Sequence, residues 1–342
     1  MTTRVDSPVA DALAESRALL DPALRDAVRS LPESMQRIVG HHFGWWDEHG
    51  EPIDAPAGKA IRPTLVLLAA RAVGADPAEA LPAAVAVELV HNFSLLHDDV
   101  MDGDLTRRHR PTAWRVFGSG PAILAGDALL TLAGEVLTAS GHPAAMRGLQ
   151  ELNGTVLDLV DGQSSDMSFE HRTDVELREC LTMVGAKTAA LLGCSTALGA
   201  SFGGAGPRRV ELLRGFGTRI GLAFQLVDDL LGIWGDPEVT GKPVRSDLRN
   251  RKKSLPVVAA LNSGTAAGRE LARYYETTAE LSEQDTRRAA ELVAEAGGRD
   301  WCHRRIDALQ REAHHQLHCA DPAPEPAEHL IALSHLLTHR EY

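Results

Sequence analysis

Apolar and polar positions along this 342-residue chain follow a helical period almost throughout. The stretch 84–99, AVAVELVHNFSLLHDD, puts apolar residues on broad helical faces and contains neither Gly nor Pro, which predicts a buried helix. Residues 149–167 and 214–233 read the same way. Breakers separate such stretches at 51–58, 103–111, 203–207, 235–243 and 320–326. The last of these, proline-rich, predicts a turn before a final helix. No strand-like alternation of comparable length, no fixed-period repeat and no long flexible linker is present. The pattern predicts one all-α domain over residues 1–342.

Composition agrees. Ala and Leu abound while aromatics make up 4%, and straight-chain residues lose little side-chain freedom in a helix. A 44% hydrophobic content is ample for a large core. The net charge of −12 argues against a nucleic-acid partner, although metal ions or locally gathered basic residues let an acidic protein bind anionic substrates. Cys180, Cys194, Cys302 and Cys319 form no CxxC pair and read as reduced thiols of a cytoplasmic protein. The first twenty residues lack a basic start followed by an apolar run, so no signal peptide is expected. Residues 188–207 are uncharged, but Gly193, Gly199, Gly203, Gly204 and Gly206 among Ser, Thr and Ala mark a tightly packed helix running into a glycine loop. No membrane span is expected.

Candidate chemistry begins at His97-Asp98-Asp99-Val100-Met101-Asp102. Asp98 and Asp102, four apart on a helix, project from one face. Clustered carboxylates repel unless a cation offsets them, and hard oxygen ligands suit Mg²⁺. A second acidic pair, Asp228-Asp229, ends another apolar run. Gly235-Asp236-Pro237, Gly241-Lys242-Pro243, Ser246-Asp247 and Arg251-Lys252-Lys253 follow it. Carboxylates interleaved with lysines suit a metal-bridged polyphosphate. Arg107, Arg108 and Arg110 follow the first motif, and Gly58-Lys59-Ala60-Ile61-Arg62-Pro63 precedes it. Arginine forks bind phosphate bidentately. Each feature alone also fits a solvated helix end or a charged loop. Their conjunction favours a diphosphate site.

In order along the chain, GK..RP, HDDVMD followed by RR.RPT, GAKT, FQLVDD, GDPEVTGKP and SDLRNRKKSLP resemble the trans-isoprenyl diphosphate synthase family over residues 58–256. The resemblance implies a large helical bundle around a central cavity, the isoprenoid synthase fold, usually as a homodimer, with two aspartate motifs facing each other at its mouth. It implies Mg²⁺ on Asp98 and Asp102, supported by Asp99, and on Asp228, supported by Asp229 and by Asp247 through water. Arg107, Lys187, Lys242 and Lys252 would contact the allylic diphosphate. Lys59, Arg62, His91 and Arg108 would hold isopentenyl diphosphate, with Gly58 giving backbone approach. Thr188 and Gln225 would line the carbocation. Phe93, with Ser94 beside it, would form the floor that stops the growing chain, as in short-chain synthases making geranylgeranyl diphosphate. Farnesyl diphosphate is the alternative product, and packing in the helical core is the alternative role of Phe93.

The chain departs from the family at three places. Gly232 stands where a third aspartate is usual, Ala57-Gly58 replaces a double glycine, and the 338–342 tail has a single Arg. A class I terpene cyclase shares the first aspartate motif but needs no isopentenyl diphosphate site, and a non-catalytic partner subunit is free to lose carboxylates. Gln163 and Asp166 match the family's GQ..D pattern and fit either the cavity mouth or a buried polar contact. His314, His315 and His318 read as a polar helix face, and Trp45-Trp46 as packing at a helix end.

Overall fold

The computed structural model describes residues 8–53, 55, 58–236, 244–277 and 279–338. These residues form helices joined by loops and one hairpin of two two-residue strands, the all-α architecture expected. They divide into two compact units. The first holds the described residues up to Gly154, with Cys194–Arg214 and Ala320–Ala332. The second holds Thr155–Gly193, Gly215–Cys319 and the described residues from Leu333 on.

In the first unit, α1 (Pro8–Arg29), α2 (Glu33–Phe43) and α3 (Ile61–Ala72) precede α4 (Leu81–Met101). Asp76 starts the 3-10 turn before α4 by accepting from the Ala78 N–H at 2.9 Å, and Pro82 sits in the first turn of α4, where no N–H is needed. From Ala83 to Val90 every residue of α4 is buried. The helix ends beyond the predicted 84–99, with Asp102 as its C-cap and Gly103 turning the chain at φ 67°. The breaker predicted over 103–111 contains an antiparallel ribbon, β1 (Thr106–Arg107) and β2 (Arg110–Pro111). Its two central residues, Arg108 and His109, both have left-handed φ, 52° and 62°. Helix α5 (Ala113–Phe117) leads to α6 (Ser119–Ala139), which packs along α4. Trp46 folds back over Gly40 of α2 and donates to Arg37 O at 2.8 Å, the predicted packing at a helix end.

Helices α7 (Ala145–Glu170), α9 (Ala190–Phe202) and α10 (Pro207–Trp234) contribute to both units. The predicted helix over 188–202 starts inside a five-residue π turn, Gly185–Ala189, which follows α8 (Leu177–Val184). Leu191 through Ala200 are all buried, and Gly199 lets α9 touch α3: a β-carbon there would lie 2.1 Å from Val66 O. The second unit adds α11 (Ser246–Arg249), α12 (Leu255–Leu261), α13 (Ala266–Glu276), α14 (Glu283–Glu295) and α15 (Gly298–Cys319). Its core gathers Phe169, Met183, Leu226, Leu230, Leu255 and Ile306. The last helix, α16 (Pro324–Thr338), follows the predicted turn.

Three stretches, Pro77–Met101, Ser119–Ala139 and Leu177–Phe202, are long and apolar enough to cross a bilayer by length and composition alone. In the first and third, most of the apolar window is buried inside the protein.

Candidate active site

In the first unit the carboxylates of the first motif part company. Asp98 is half-buried and Asp102 exposed, one turn apart, whereas Asp99 is buried at 1% exposure. Arg107 Nε donates to Asp99 Oδ1 at 2.6 Å, and Asp99 Oδ2 is buried with no partner among the described residues. Burial raises the Asp99 carboxyl to about 6 despite the attraction of Arg107. Asp99 therefore holds the ribbon to α4, while Asp98 and Asp102 lie nearer the surface.

Beside them lies a cationic cradle. A β-carbon on Gly58 would come within 2.5 Å of Arg108 Nη2, so glycine is what lets the guanidinium lie against the backbone. Gly58 O also accepts from Arg17. Arg62 Nη1 lies 3.2 Å from His91 Nε2. Burial, then Arg62 and Arg108, hold His91 well below its ordinary value. The ring is thus neutral near pH 7, and Nε2 accepts from the guanidinium. Arg62 Nε is buried without a partner among the described residues, and burial lowers the group to about 10. Lys59 is exposed at the edge of this set.

Behind the cradle stands a buried chain that motif reading missed. Asn92 Nδ2 donates to Glu88 Oε1 at 2.9 Å and to Glu88 O at 2.8 Å; Asn92 Oδ1 lies 3.1 Å from His42 Nε2. Burial pushes His42 down to about 3, helped by Arg108 and Arg107, so its ring is neutral and donates. Glu88 is raised by burial and held back by Asn92, Arg62 and Arg108. It is an acidic side chain of α4 placed close enough to act on both Arg62 and Arg108. A lone Glu inside the apolar run 84–90, three residues before His91, was the available signal.

In the second unit Asp228 is exposed and Asp229 is buried at 3% exposure. Asp229 accepts from Leu255 N at 2.9 Å and from Gln225 Nε2 at 2.8 Å, and Gln225 Oε1 accepts from the Thr188 hydroxyl at 2.9 Å. This relay fixes the orientation of the Gln225 amide and leaves the lone pairs of Thr188 pointing elsewhere. Burial raises Asp229 to about 6, against the pull of Lys252. Lys252, disfavoured by burial, is pushed up by Asp229, Asp247, Asp166 and Asp228 and stays charged. Lys187, on the π turn, donates to Asp166 at 2.7 Å. Gly162 makes room for that turn: a β-carbon on it would meet Lys187 N at 2.5 Å. Asp166 of the GQ..D pattern thus has a cationic partner, while Gln163 Oε1 is buried without one among the described residues.

Gly232 sits directly over Asp247. A β-carbon at 232 would meet Asp247 Oδ2 at 2.2 Å, so the space of the missing third aspartate is filled by the carboxylate of Asp247. Lys242 and Ala57 lie outside the described residues, as do residues 339–342 of the tail. Phe93 is buried and Ser94 half-buried, its hydroxyl bonded to His91 O at 2.8 Å. His314 contacts Ser334 Oγ at 3.1 Å, and no group of three or more metal-binding side chains is closed among the described residues.

The sequence profile of the family described as polyprenyl synthetase matches residues 45–293. The chain belongs to the polyprenyl synthetase family. It is a trans-prenyltransferase, and its family uses isopentenyl and allylic diphosphates together with a divalent metal. It is 52% identical over 303 residues to a (2E,6E)-farnesyl diphosphate synthase of Mycobacterium tuberculosis, covering 87% of this chain and 83% of that one. A geranylgeranyl diphosphate synthase of the same organism is 46% identical over 330 residues, covering 96% and 93%. The crystal structure of a polyprenyl synthetase from Streptomyces coelicolor A3(2) matches with a TM-score of 0.92 at 47% identity, covering 97% of this chain and all of that one.

Proposed function

We propose that this chain is a Mg²⁺-dependent short-chain synthase, acting as one domain over residues 1–342, that joins isopentenyl diphosphate to an allylic diphosphate and yields geranylgeranyl diphosphate. The observation that carries the reading is that the basic residues of the first unit have two different sets of partners. Arg107 is tied to Asp99, whereas Arg108 lies against Gly58 and Arg62 against His91. Two groups suit two diphosphates. A cyclase, which takes a single diphosphate, has no use for the second.

The donor set fits Mg²⁺. Asp98 and Asp102 in the first unit and Asp228 in the second would each offer carboxylate oxygen, and Mg²⁺ prefers a few carboxylates completed by phosphate oxygens and water to an all-protein cage. When bound, the metal neutralises charge on the leaving diphosphate. Arg107, Lys187, Lys242 and Lys252 hold that diphosphate as the allylic C–O bond breaks. Lys187 then exchanges Asp166 for phosphate. Thr188 and Gln225 turn oxygen lone pairs toward the allylic cation. Arg62, Arg108, His91 and Lys59 orient isopentenyl diphosphate so that its double bond attacks the cation, and the departed diphosphate takes the proton then released.

The new chain extends along α4 toward Phe93, which stops it. The 52% identity to a farnesyl diphosphate synthase favours farnesyl diphosphate as a second reading. The reading includes a cytoplasmic homodimer without a membrane span, and the apolar residues left exposed on α6 (Ile123 and Leu124) and on α7 (Leu157 and Val160) offer surface that a second copy would cover. Incubation of a labelled allylic diphosphate with and without isopentenyl diphosphate tests the proposal. Extension only when both are present supports it. Cyclised or unextended label in both reactions rejects it.

A further inference from the structure

Phe93 and His97 lie one helical turn apart on α4. Their rings meet edge to face, with centroids 4.8 Å apart and planes at 67°. The imidazole is also held from α6. Its Nε2 lies 3.0 Å from Ile123 O and 3.6 Å from Asp127 Oδ1. Beneath the ring is Gly126. A β-carbon there would fall 2.3 Å from His97 Nε2 and 2.4 Å from Cδ2, distances that real β-carbons do not adopt. Only glycine at 126 leaves the seat in which His97 reaches the Ile123 carbonyl and backs the Phe93 ring. His97 has no place among the metal or diphosphate ligands, so this arrangement needs another purpose.

We propose that His97, seated on Gly126, is a positioning residue that sets product length by fixing the ring of Phe93. The inference rests on the reading of Phe93 as the floor. With His97 in its seat, Phe93 has an aromatic wall on the side toward α6 and cannot swing into that space. Without the imidazole, the phenyl ring gains the vacated volume and the chain gains length. A methyl group at 126 acts on the same pair from the other side, by unseating His97.

The test is the chain-length distribution of dephosphorylated products at low conversion. It compares the wild type with Phe93→Ala, His97→Ala, Gly126→Ala and the double variant His97→Ala, Gly126→Ala. Phe93→Ala is expected to lengthen products, and His97→Ala to raise the ratio of longer to principal product severalfold. Gly126→Ala is expected to alter the distribution. The double variant should match His97→Ala, because the added methyl no longer has a ring to strike. A structural defect alone would lower turnover without changing the ratio. If Phe93→Ala shifts the products but His97→Ala does not, the inference fails while the floor stands. A shift from Gly126→Ala that persists in the double variant also overturns it. An unshifted Phe93→Ala removes the floor itself. Should Gly126→Ala not fold, His97→Ala and His97→Asn decide alone, since both remove the ring: lengthening in both supports the inference and a wild-type ratio overturns it.

Discussion

A β-carbon on Gly232 would lie 2.2 Å from Asp247 Oδ2, so the third aspartate usual in the second motif cannot enter while Asp247 keeps its place. Gly232→Asp is therefore expected to lower turnover by roughly tenfold, about 1.4 kcal/mol, and adding Asp247→Gly to recover part of the loss. Steady-state rates check both, and wild-type turnover in the single variant would contradict the account. Arg62→Ala should raise KM for isopentenyl diphosphate well above any change in KM for the allylic primer, because Arg62 is assigned to one diphosphate only. Equal rises would reject that division. His42 gives a pH signature. Its folded value of about 3 lies below the ordinary 6.5, so the unfolded chain takes up the extra proton as pH falls through that window. The stability present above pH 6.5 is lost toward pH 3. His42→Gln, which keeps a donor for Asn92, should reduce the loss between pH 7 and pH 4 by at most about 3 kcal/mol in denaturant titrations. An unchanged pH profile would show that His42 ionises freely in the fold.

At the scale of the element, the β1–β2 ribbon carries Arg107 to Asp99 and Arg108 to Gly58 through two consecutive left-handed residues. A β-branched side chain at such φ is strained, at a cost of about 1–3 kcal/mol. His109→Val should thus raise KM for both substrates, whereas His109→Gly should leave both near wild type. Kinetics in which valine is as good as glycine would show that the turn does not position the arginines. This ribbon was not legible in the sequence, since strands of two residues have no alternation to read, and the positions appeared only as a breaker. Helices α4, α7 and α10 were legible because their apolar periodicity is long and uninterrupted. The aspartates and arginines were legible because their spacing along one segment already brings them together. The Glu88–Asn92–His42 chain was not, for His42 reaches Asn92 from α2, fifty residues away in sequence. The seat of Asp247 against Gly232 was hidden for the same reason: sequence marks the missing carboxylate but not the one that fills its space.

For the whole molecule, an acidic chain of net charge −12 binds anionic substrates by concentrating its cations at Gly58, at the ribbon, at the π turn and at Lys252. Of the aspartates in the two motifs, Asp102 in the first unit and Asp228 in the second are exposed and Asp98 is half-buried. The central claim is that both aspartate motifs work in one condensation, each through metal on the leaving diphosphate. Turnover of Asp98→Ala and of Asp228→Ala at saturating Mg²⁺ and both substrates tests it most directly. Each is expected to fall by about 10²–10³, the loss typical of one preorganised electrostatic contact. Near-normal turnover in either variant would contradict the account.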